Sequence, residues 1–396
     1  MPIGSSFTSR KFFSGRIPEL DGLRGVAIAM VLFFHYFFLT TPAVPGSPLA
    51  YLLAAGRLAW SGVDLFFVLS GFLIGGILID ARHSHNYFSV FYTRRFFRII
   101  PIYTLLLTTF YLFSIIASGP LAGKFSWIRK DELPWYPHIL FLQNIWMAFR
   151  NSAGTVYGLA VTWSLAVEEQ FYLTLPLVVR FISFPWLVPA LLTGAILAPA
   201  CRIGFYMLWP GHAYSWFALM PCRADALLLG VLGALALRNE NYRLRLTFSG
   251  RLLSIVILML AFGMIFLTKY APSVTSPLML SVGFSWLAVF YLSVLLYALT
   301  QQNSLISWVL RWKLLRWLGA IAYGTYLFHE FVLGVVFGLF RSHTPTILTL
   351  EDVGLSLGAL ALTILLCSLS WNYFEQSLVS IGHRTDYLLG MDNKEI

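Results

Sequence analysis

Long apolar segments alternate with short polar ones along most of this chain. A helix needs about 20 apolar residues to cross a hydrocarbon core about 30 Å thick, and about ten segments come close to that length. They fall at 21–39, 59–79, 100–118, 164–183, 186–208, 216–237, 252–268, 277–299, 317–340 and 353–373. The pattern predicts an all-α fold, a polytopic transmembrane helical bundle of about ten spans.

The composition supports a membrane protein. Hydrophobic residues make up 58% of the 396 residues and charged residues only 11%, whereas soluble domains carry about one-quarter charged residues. The net charge of +10 could suggest nucleic acid as a partner. The basic residues lie in short loops between apolar segments, however, so we interpret the charge as a determinant of membrane topology and expect no nucleic-acid partner.

The distribution of basic residues predicts the topology. The apolar piece 139–149 is too short to count as a span and is interpreted as a re-entrant or interfacial helix. Leaving it uncounted puts Arg180, the run 238–251 and Arg311 on the same side as Arg94. Because cytoplasmic loops are enriched in Lys and Arg, we predict ten spans with both termini in the cytoplasm.

One membrane-embedded domain is expected over 1–396, with no appended soluble domain, since only about 25 residues follow Trp371. Cys201, Cys222 and Cys367 show no paired spacing, which argues against a disulfide framework or a structural zinc site. His83 is interpreted as part of a polar loop, and no metal site is predicted.

The first apolar segment carries Arg24 near its start and His35 eleven residues later, about 16 Å further along a helix axis. His35 is therefore expected beyond the middle of the bilayer, where an ionisable side chain must face protein or a water-filled cavity. Two interpretations stay open. His35 is either a functional residue or a buried histidine hydrogen-bonded to a neighbouring helix.

Arg95 and Arg98 lie three residues apart in an aromatic-rich basic segment, so they project from one face of a helix. Their planar guanidinium groups suit phosphate oxygens, which makes them candidates for anion binding. The alternative is an anchor at the cytoplasmic interface, and for Arg94 we prefer it.

Glu168 and Glu169 stand where a span begins, in the same half of the membrane as His35. A histidine and a carboxylate at matching depth form a general base with an orienting anion, so one of the two is expected to act with His35. The alternative is that these glutamates complement the helix dipole.

Two further groups of ionisable residues fall inside predicted spans. Arg223 and Asp225 are expected to neutralise each other, and we favour this reading over catalysis, although they are also candidates for lining a substrate cavity. His329, followed by Glu330, lies near the middle of the penultimate span and is expected to line the same cavity.

Taken in order, these motifs resemble the acyltransferase-3 family of integral membrane acyltransferases. The resemblance covers nearly the whole chain. It is carried by Leu20-Asp21-Gly22-Leu23-Arg24 followed by His35, Gly62-Val63-Asp64-Leu65-Phe66-Phe67-Val68-Leu69-Ser70-Gly71-Phe72, Arg95-x-x-Arg98, Trp163-Ser164-Leu165 through Glu168-Glu169-Gln170-Phe171-Tyr172, Arg223-x-Asp225 and Tyr326-Leu327-Phe328-His329.

The resemblance implies transfer of an acyl group, commonly acetyl from acetyl-CoA, to a sugar hydroxyl. The implied acceptor is a surface polysaccharide, a lipid-linked glycan or a related glycosylated product. The resemblance also points to Arg24, His35, Arg95 and Arg98 as functional positions. It implies a multi-pass protein of a bacterial cytoplasmic membrane, with acyl-CoA as donor substrate and no permanently bound cofactor.

The expected mechanism combines what the residues indicate with what the resemblance implies. Arg95 and Arg98, with Arg24, hold the phosphates of CoA at the cytoplasmic face, and His35 acts as general base on the acceptor hydroxyl. In a variant of this scheme His35 takes the acyl group covalently before passing it on. A rival from another class is a multispan transporter or flippase of a glycan or small anionic substrate, although no inverted repeat is evident.

Overall fold

A computed structural model describes residues 15, 17–43, 46–54, 56–119, 121–125, 134–152, 157–271 and 273–388. Within these residues the chain is helical and contains no strand. Ten long helices form the bundle: α1 Pro18–Phe33, α2 Gly62–Asp80, α3 Tyr87–Ser118, α4 Thr162–Phe181, α5 Phe184–Leu208, α6 Met220–Arg238, α7 Gly250–Tyr270, α8 Phe284–Thr300, α9 Lys313–Arg341 and α10 Leu350–Ser370.

Shorter helical pieces extend or connect the long ones. The π-helical turn Phe34–Phe38 continues α1, Met279–Gly283 precedes α8, and Trp371–Glu375 with Gln376–Gly382 continues α10. The connecting helices are Pro48–Ala54, Ala59–Ser61, Ala122–Phe125, Trp135–Ile139, Gln143–Arg150, Ala213–Phe217, Glu240–Phe248 and Leu305–Leu310. The predicted non-spanning piece 139–149 thus falls mainly in two helices of 5 and 8 residues, which are too short to cross a bilayer.

Local sequence explains where several helices begin. Pro18 occupies the first turn of α1, where its missing N–H is not needed, and Glu19 and Asp21 complement the positive end of the helix dipole. Thr349 and Asp352 form a reciprocal capping box at the start of α10. α3 begins at Tyr87, well before the predicted start at residue 100, so Arg95 and Arg98 lie on the helix itself.

In the described part of the chain, nine helical stretches are long and apolar enough to cross a membrane. α4 is as long but more polar, since it carries Glu168, Glu169 and Arg180. The relative directions of its neighbours indicate that α4 also crosses.

α1 and α9 run parallel. Gly25 lies against Leu315 near their starts, where an added Cβ would collide with the Leu315 carbonyl oxygen, and His35 lies against Glu330 further along. Parallel helices need an odd number of crossings between them, and α2 to α8 supply seven only when α4 is counted. The prediction of ten crossings agrees with this arrangement.

The same directions define two faces of the bundle. The basic face is where α1, α3 and α9 begin and where α2, α4 and α6 end, and it carries Arg82, Arg180 and Arg238. The opposite face is where α1 ends beyond His35. Its positive charge makes the basic face the predicted cytoplasmic side.

Candidate functional site

A cavity of about 180 Å³ lies between α1, α2, α3, α4 and α9. Its polar lining includes Arg24, Arg95, Arg98 and Glu168, while Val63, Phe66, Leu69, Leu73 and Ile77 contribute apolar walls. The predicted arginine residues from two distant segments therefore meet in one cavity. A charged end and an apolar wall suit a ligand that combines anionic groups with a less polar chain.

The three arginines of the cavity have little ionic compensation from the protein. Arg24 lies 3.6 Å from Asp21, at the outer limit of an ion pair, and its side chain is 27% exposed. Arg95 and Arg98 are both half-buried. Among the described residues, no carboxylate oxygen lies within 4 Å of their guanidinium nitrogens. Positive charge that the fold leaves unneutralised favours the binding of an anion.

Glu168 and Glu169 belong to this arginine end. Glu168 lines the cavity beside Tyr172, whose hydroxyl lies 2.5 Å from Ser70 Oγ. Glu169 interacts electrostatically with Arg95, and its Oε1 is buried without a hydrogen-bond partner among the described residues. The two carboxylates therefore accompany the arginine cavity.

His35 occupies the π-helical turn that ends α1. Its Nδ1 lies 2.9 Å from the carbonyl oxygen of Val31, which can only accept, so Nδ1 carries the proton of this hydrogen bond. Its Nε2 lies 3.3 Å from Glu330 Oε1. The carboxylate in contact with His35 is therefore that of Glu330, where the sequence analysis expected Glu168 or Glu169.

His329 completes a cluster with these two residues. Its ring centroid lies 4.7 Å from that of His35, and its Nδ1 donates to the carbonyl oxygen of Tyr326 at 2.7 Å. The donor atoms of His35, His329 and Glu330 all lie within 4.8 Å of one another. We call these three residues the histidine cluster. Tyr36, next to His35, donates to the His329 carbonyl oxygen at 2.9 Å and so fixes α1 against α9.

Tyr326 connects the cavity to the histidine cluster. It lines the cavity and lies one helical turn before His329, with 5.8 Å between the two ring centroids. Its hydroxyl contacts Ser164 Oγ at 2.6 Å and donates to the Val161 carbonyl oxygen at 3.0 Å.

Nearby in the connection before α4, burial and the carboxylate of Glu330 raise the pKa of Tyr157 well above its usual value, so this phenol stays neutral.

Arg223 and Asp225 do not line this cavity. Arg223 Nη2 lies 2.5 Å from Asp64 Oδ1, and Asp225 Oδ2 lies 3.0 Å from Arg202 Nη2. The prediction of a direct Arg223–Asp225 pair is therefore wrong. Side chains at i and i+2 of a helix point in different directions, so each finds its partner on another helix.

Three ionic partners were not predicted from the sequence: Glu330 for His35, Asp64 for Arg223 and Arg202 for Asp225. A signal was present for all three, because each is an ionisable residue inside an apolar segment. An ionisable residue inside an apolar segment indicates that an ionic partner exists. Which residue is that partner depends on how distant helices pack.

The fold and the site define a class: multi-pass membrane proteins with an arginine-lined cavity and, beyond its Tyr326 wall, a buried histidine–carboxylate cluster. The chain belongs to the acyltransferase-3 family, whose model, described as an acyltransferase domain, matches residues 17–372. The resemblance found in the sequence motifs is confirmed.

Curated relatives are bacterial proteins. The chain is 26% identical to the peptidoglycan O-acetyltransferase OatA of Listeria monocytogenes, over 98% of this chain and 58% of that protein. It is 26% identical to YrhL of Bacillus subtilis, over 93% of this chain and 56% of that protein. It is 28% identical to the O-acetyltransferase OatA of Staphylococcus aureus, over 56% of this chain and 35% of that protein.

The chain thus spans little more than half the length of the first two relatives. No solved structure matches it significantly.

Proposed function

We propose that this protein is a membrane O-acyltransferase that moves an acyl group, acetyl in the simplest case, from acyl-CoA to a hydroxyl of a cell-wall glycan. The family supports acyl transfer, and the names of the relatives support acetyl as the group and peptidoglycan as the acceptor class. Acyl-CoA is the donor that the resemblance implies, and within the structure the arginine cavity supports it.

The donor proposal rests on the arginine cavity. CoA carries a diphosphate and a ribose phosphate, and Arg24, Arg95 and Arg98 supply three guanidinium groups that can each pair with phosphate oxygens. The cavity is too small for a whole nucleotide thioester, so the phosphates lie at its mouth and the pantetheine arm enters along the apolar wall. Glu168 adds one carboxylate to the arginine end of the cavity without forming an ion pair with these arginines.

The reaction proposed at the histidine cluster is a single acyl transfer. His35 Nε2 takes the proton from the acceptor hydroxyl while the hydroxyl oxygen forms a bond to the thioester carbonyl carbon. The carbon–sulfur bond breaks, and the CoA thiolate leaves and takes the proton from the imidazolium. The products are the sugar ester and CoA.

Glu330 stabilises the imidazolium in this scheme because its carboxylate lies 3.3 Å from His35 Nε2. In the covalent variant, His35 Nε2 first accepts the acyl group and the hydroxyl then attacks the acyl-imidazole. Both versions need the same nitrogen.

One observation carries the proposal. Arg24 and His35 lie on the same helix about 16 Å apart, and the cavity that Arg24 lines is bounded by Tyr326, whose ring lies 5.8 Å from that of His329 in the histidine cluster. That arrangement suits a long donor whose charged and reactive ends must be held at separate places.

The test uses purified protein in lipid nanodiscs with labelled acetyl-CoA and soluble peptidoglycan fragments. Wild type is expected to form a labelled ester, and His35→Gln to lose about 10²- to 10⁴-fold in turnover, as expected when a general base is removed. The matched control is His343→Gln, an exposed histidine outside the site, which should retain full turnover. Full turnover by a folded His35→Gln protein would exclude His35 from both schemes. Vectorial uptake of the glycan in vesicles without ester formation would favour a transporter.

A further inference from the structure

We propose that the histidine cluster is a site for one divalent transition-metal ion, Zn²⁺ above all, and that occupancy of this site blocks acyl transfer. The inhibitory consequence rests on the proposed function, whereas metal binding does not. The two parts can therefore fail separately.

The donor set suits zinc. Two imidazole nitrogens and one carboxylate oxygen form a well-known three-ligand set for Zn²⁺, which leaves a fourth position for water. Bond lengths of about 2.0–2.1 Å place neighbouring tetrahedral ligands about 3.3 Å apart. His35 Nε2 and Glu330 Oε1 are separated by 3.3 Å, and no donor pair of the cluster is more than 4.8 Å apart.

Both histidines are oriented as metal ligands usually are. His35 Nδ1 donates to the Val31 carbonyl oxygen, and His329 Nδ1 donates to the Tyr326 carbonyl oxygen. A hydrogen bond from one ring nitrogen to a backbone carbonyl fixes the tautomer and leaves the lone pair on the other. In both rings Nε2 is therefore the nitrogen available to a metal.

Two buried atoms of the cluster lack partners that an ion would provide. Within the described residues, His329 Nε2 and Glu330 Oε2 make no hydrogen bond, although His329 is fully buried and Glu330 is 8% exposed. Leaving such groups unsatisfied is energetically unfavourable, because each has lost its hydrogen bonds to water on burial. An ion pair between His35 and Glu330 explains one contact and leaves His329 Nε2 unused, whereas a metal engages all three side chains. The His35 side chain is 15% exposed, so the cluster is not completely enclosed by protein.

Coordination would use the lone pair of His35 Nε2 that the proposed reaction needs. A nitrogen bound to Zn²⁺ accepts neither a proton nor an acyl group. Zinc should therefore inhibit acyl transfer, and a chelator should restore it.

The primary test measures metal binding without any substrate. Chelator-treated protein in nanodiscs is titrated with Co²⁺, whose four-coordinate complexes absorb visible light strongly, and bound zinc is counted by elemental analysis. One ion per chain is expected. His329→Gln should weaken binding by more than about 100-fold, because even loss of an outer-shell partner costs 10- to 100-fold. His343→Gln is the matched control and should bind as wild type does.

Other outcomes overturn the proposal. Wild-type protein that shows neither the Co²⁺ absorption nor stoichiometric zinc excludes the site without recourse to a variant. Equal binding by His329→Gln and wild type shows that any bound ion lies elsewhere. Glu330→Gln, which keeps the shape of the side chain, provides a second variant in case His329→Gln does not fold, as checked by thermal unfolding without metal.

The inhibitory part is tested by adding zinc to the acyl-transfer assay. The inhibitory part is supported if the zinc concentration that halves acyl transfer matches the concentration that half-fills the binding site. Zinc binding without inhibition overturns it. An assay that shows no acyl transfer under any condition counts against the proposed function, and the optical titration still decides whether the site exists.

Discussion

Two groups of arginines inside this bundle differ in how the protein treats their charge. Arg202 and Arg223 are 0% and 1% exposed, and each contacts an aspartate on another helix at 3.0 Å and 2.5 Å. Arg95 and Arg98 line a cavity, and among the described residues no carboxylate lies within ion-pair distance of either. The first group holds helices together, whereas the second is available to a ligand.

The environment of Arg223 shows how the fold stabilises a buried guanidinium group. Besides Asp64, its guanidinium carbon lies 3.9 Å from the centroid of the Phe284 ring and within 6 Å of the rings of Phe67 and Trp163. Such cation–π contacts stabilise a desolvated guanidinium. Arg223 is therefore paired with Asp64 and enclosed by aromatic rings at 1% exposure, whereas the arginines of the cavity face open space.

The largest expected effect comes from breaking the buried pair. Arg223→Met leaves the Asp64 carboxylate buried without its partner, which should lower the free energy of unfolding by about 3–5 kcal/mol. Combining it with Asp64→Asn should recover most of that loss, because no unpaired charge remains. Denaturant or thermal unfolding in detergent micelles measures both.

The control for this pair is Arg94→Gln. Arg94 contacts Asp386, whose side chain is 89% exposed, so its loss should cost less than about 1 kcal/mol. Equal destabilisation by Arg94→Gln and Arg223→Met would show that burial does not separate the two kinds of arginine.

A smaller effect, on ligand affinity, is expected at the cavity. Arg98→Gln should weaken CoA binding by about 10- to 150-fold, equivalent to losing a charge-assisted hydrogen bond of about 1.5–3 kcal/mol, with little change in unfolding temperature. The CoA affinity of Arg98→Lys should lie between those of Arg98→Gln and wild type, since Lys keeps the charge but not the planar guanidinium group. Isothermal titration with CoA measures the affinity.

Two controls sharpen this result. Arg251→Gln removes an exposed arginine of α7 that does not line the cavity and should leave CoA affinity unchanged. Dephospho-CoA lacks the ribose phosphate, so a reduced penalty for Arg98→Gln with this ligand would identify that phosphate as its partner. Loss of fold rather than of affinity in Arg98→Gln would place Arg98 with the structural arginines.

The smallest expected effect distinguishes the carboxylates. Glu168→Gln removes a negative charge from a cavity proposed to take a polyanion, and it should tighten CoA binding by about fivefold, or about 1 kcal/mol. Glu330→Gln should lower turnover far more than Glu168→Gln does, because Glu330 contacts His35. Steady-state kinetics separate the two effects. Turnover as low in Glu168→Gln as in His35→Gln would identify Glu168 as the orienting carboxylate.

Much of the bundle could be predicted from the sequence because the length of an apolar segment is a local property. The predicted spans 252–268 and 317–340 correspond to α7 Gly250–Tyr270 and α9 Lys313–Arg341. The start of α3 was missed, because its first turns are basic and aromatic and fall outside a hydropathy pattern. α4 Thr162–Phe181 corresponds to the predicted span 164–183, and the directions of its neighbours agree with a crossing although this helix is more polar than the others.

The candidate site also combines features that local sequence sets with features that helix packing sets. The sequence alone determined that Arg24 and His35 share one helix and that Arg95 and Arg98 share one face, because helical spacing is set by the backbone. Only the tertiary structure decided that Glu330 meets His35, that His329 joins them, and that Asp64 and Arg202 neutralise Arg223 and Asp225. These partners are far apart in the chain, and their meeting depends on which helices run parallel and in which register they pack.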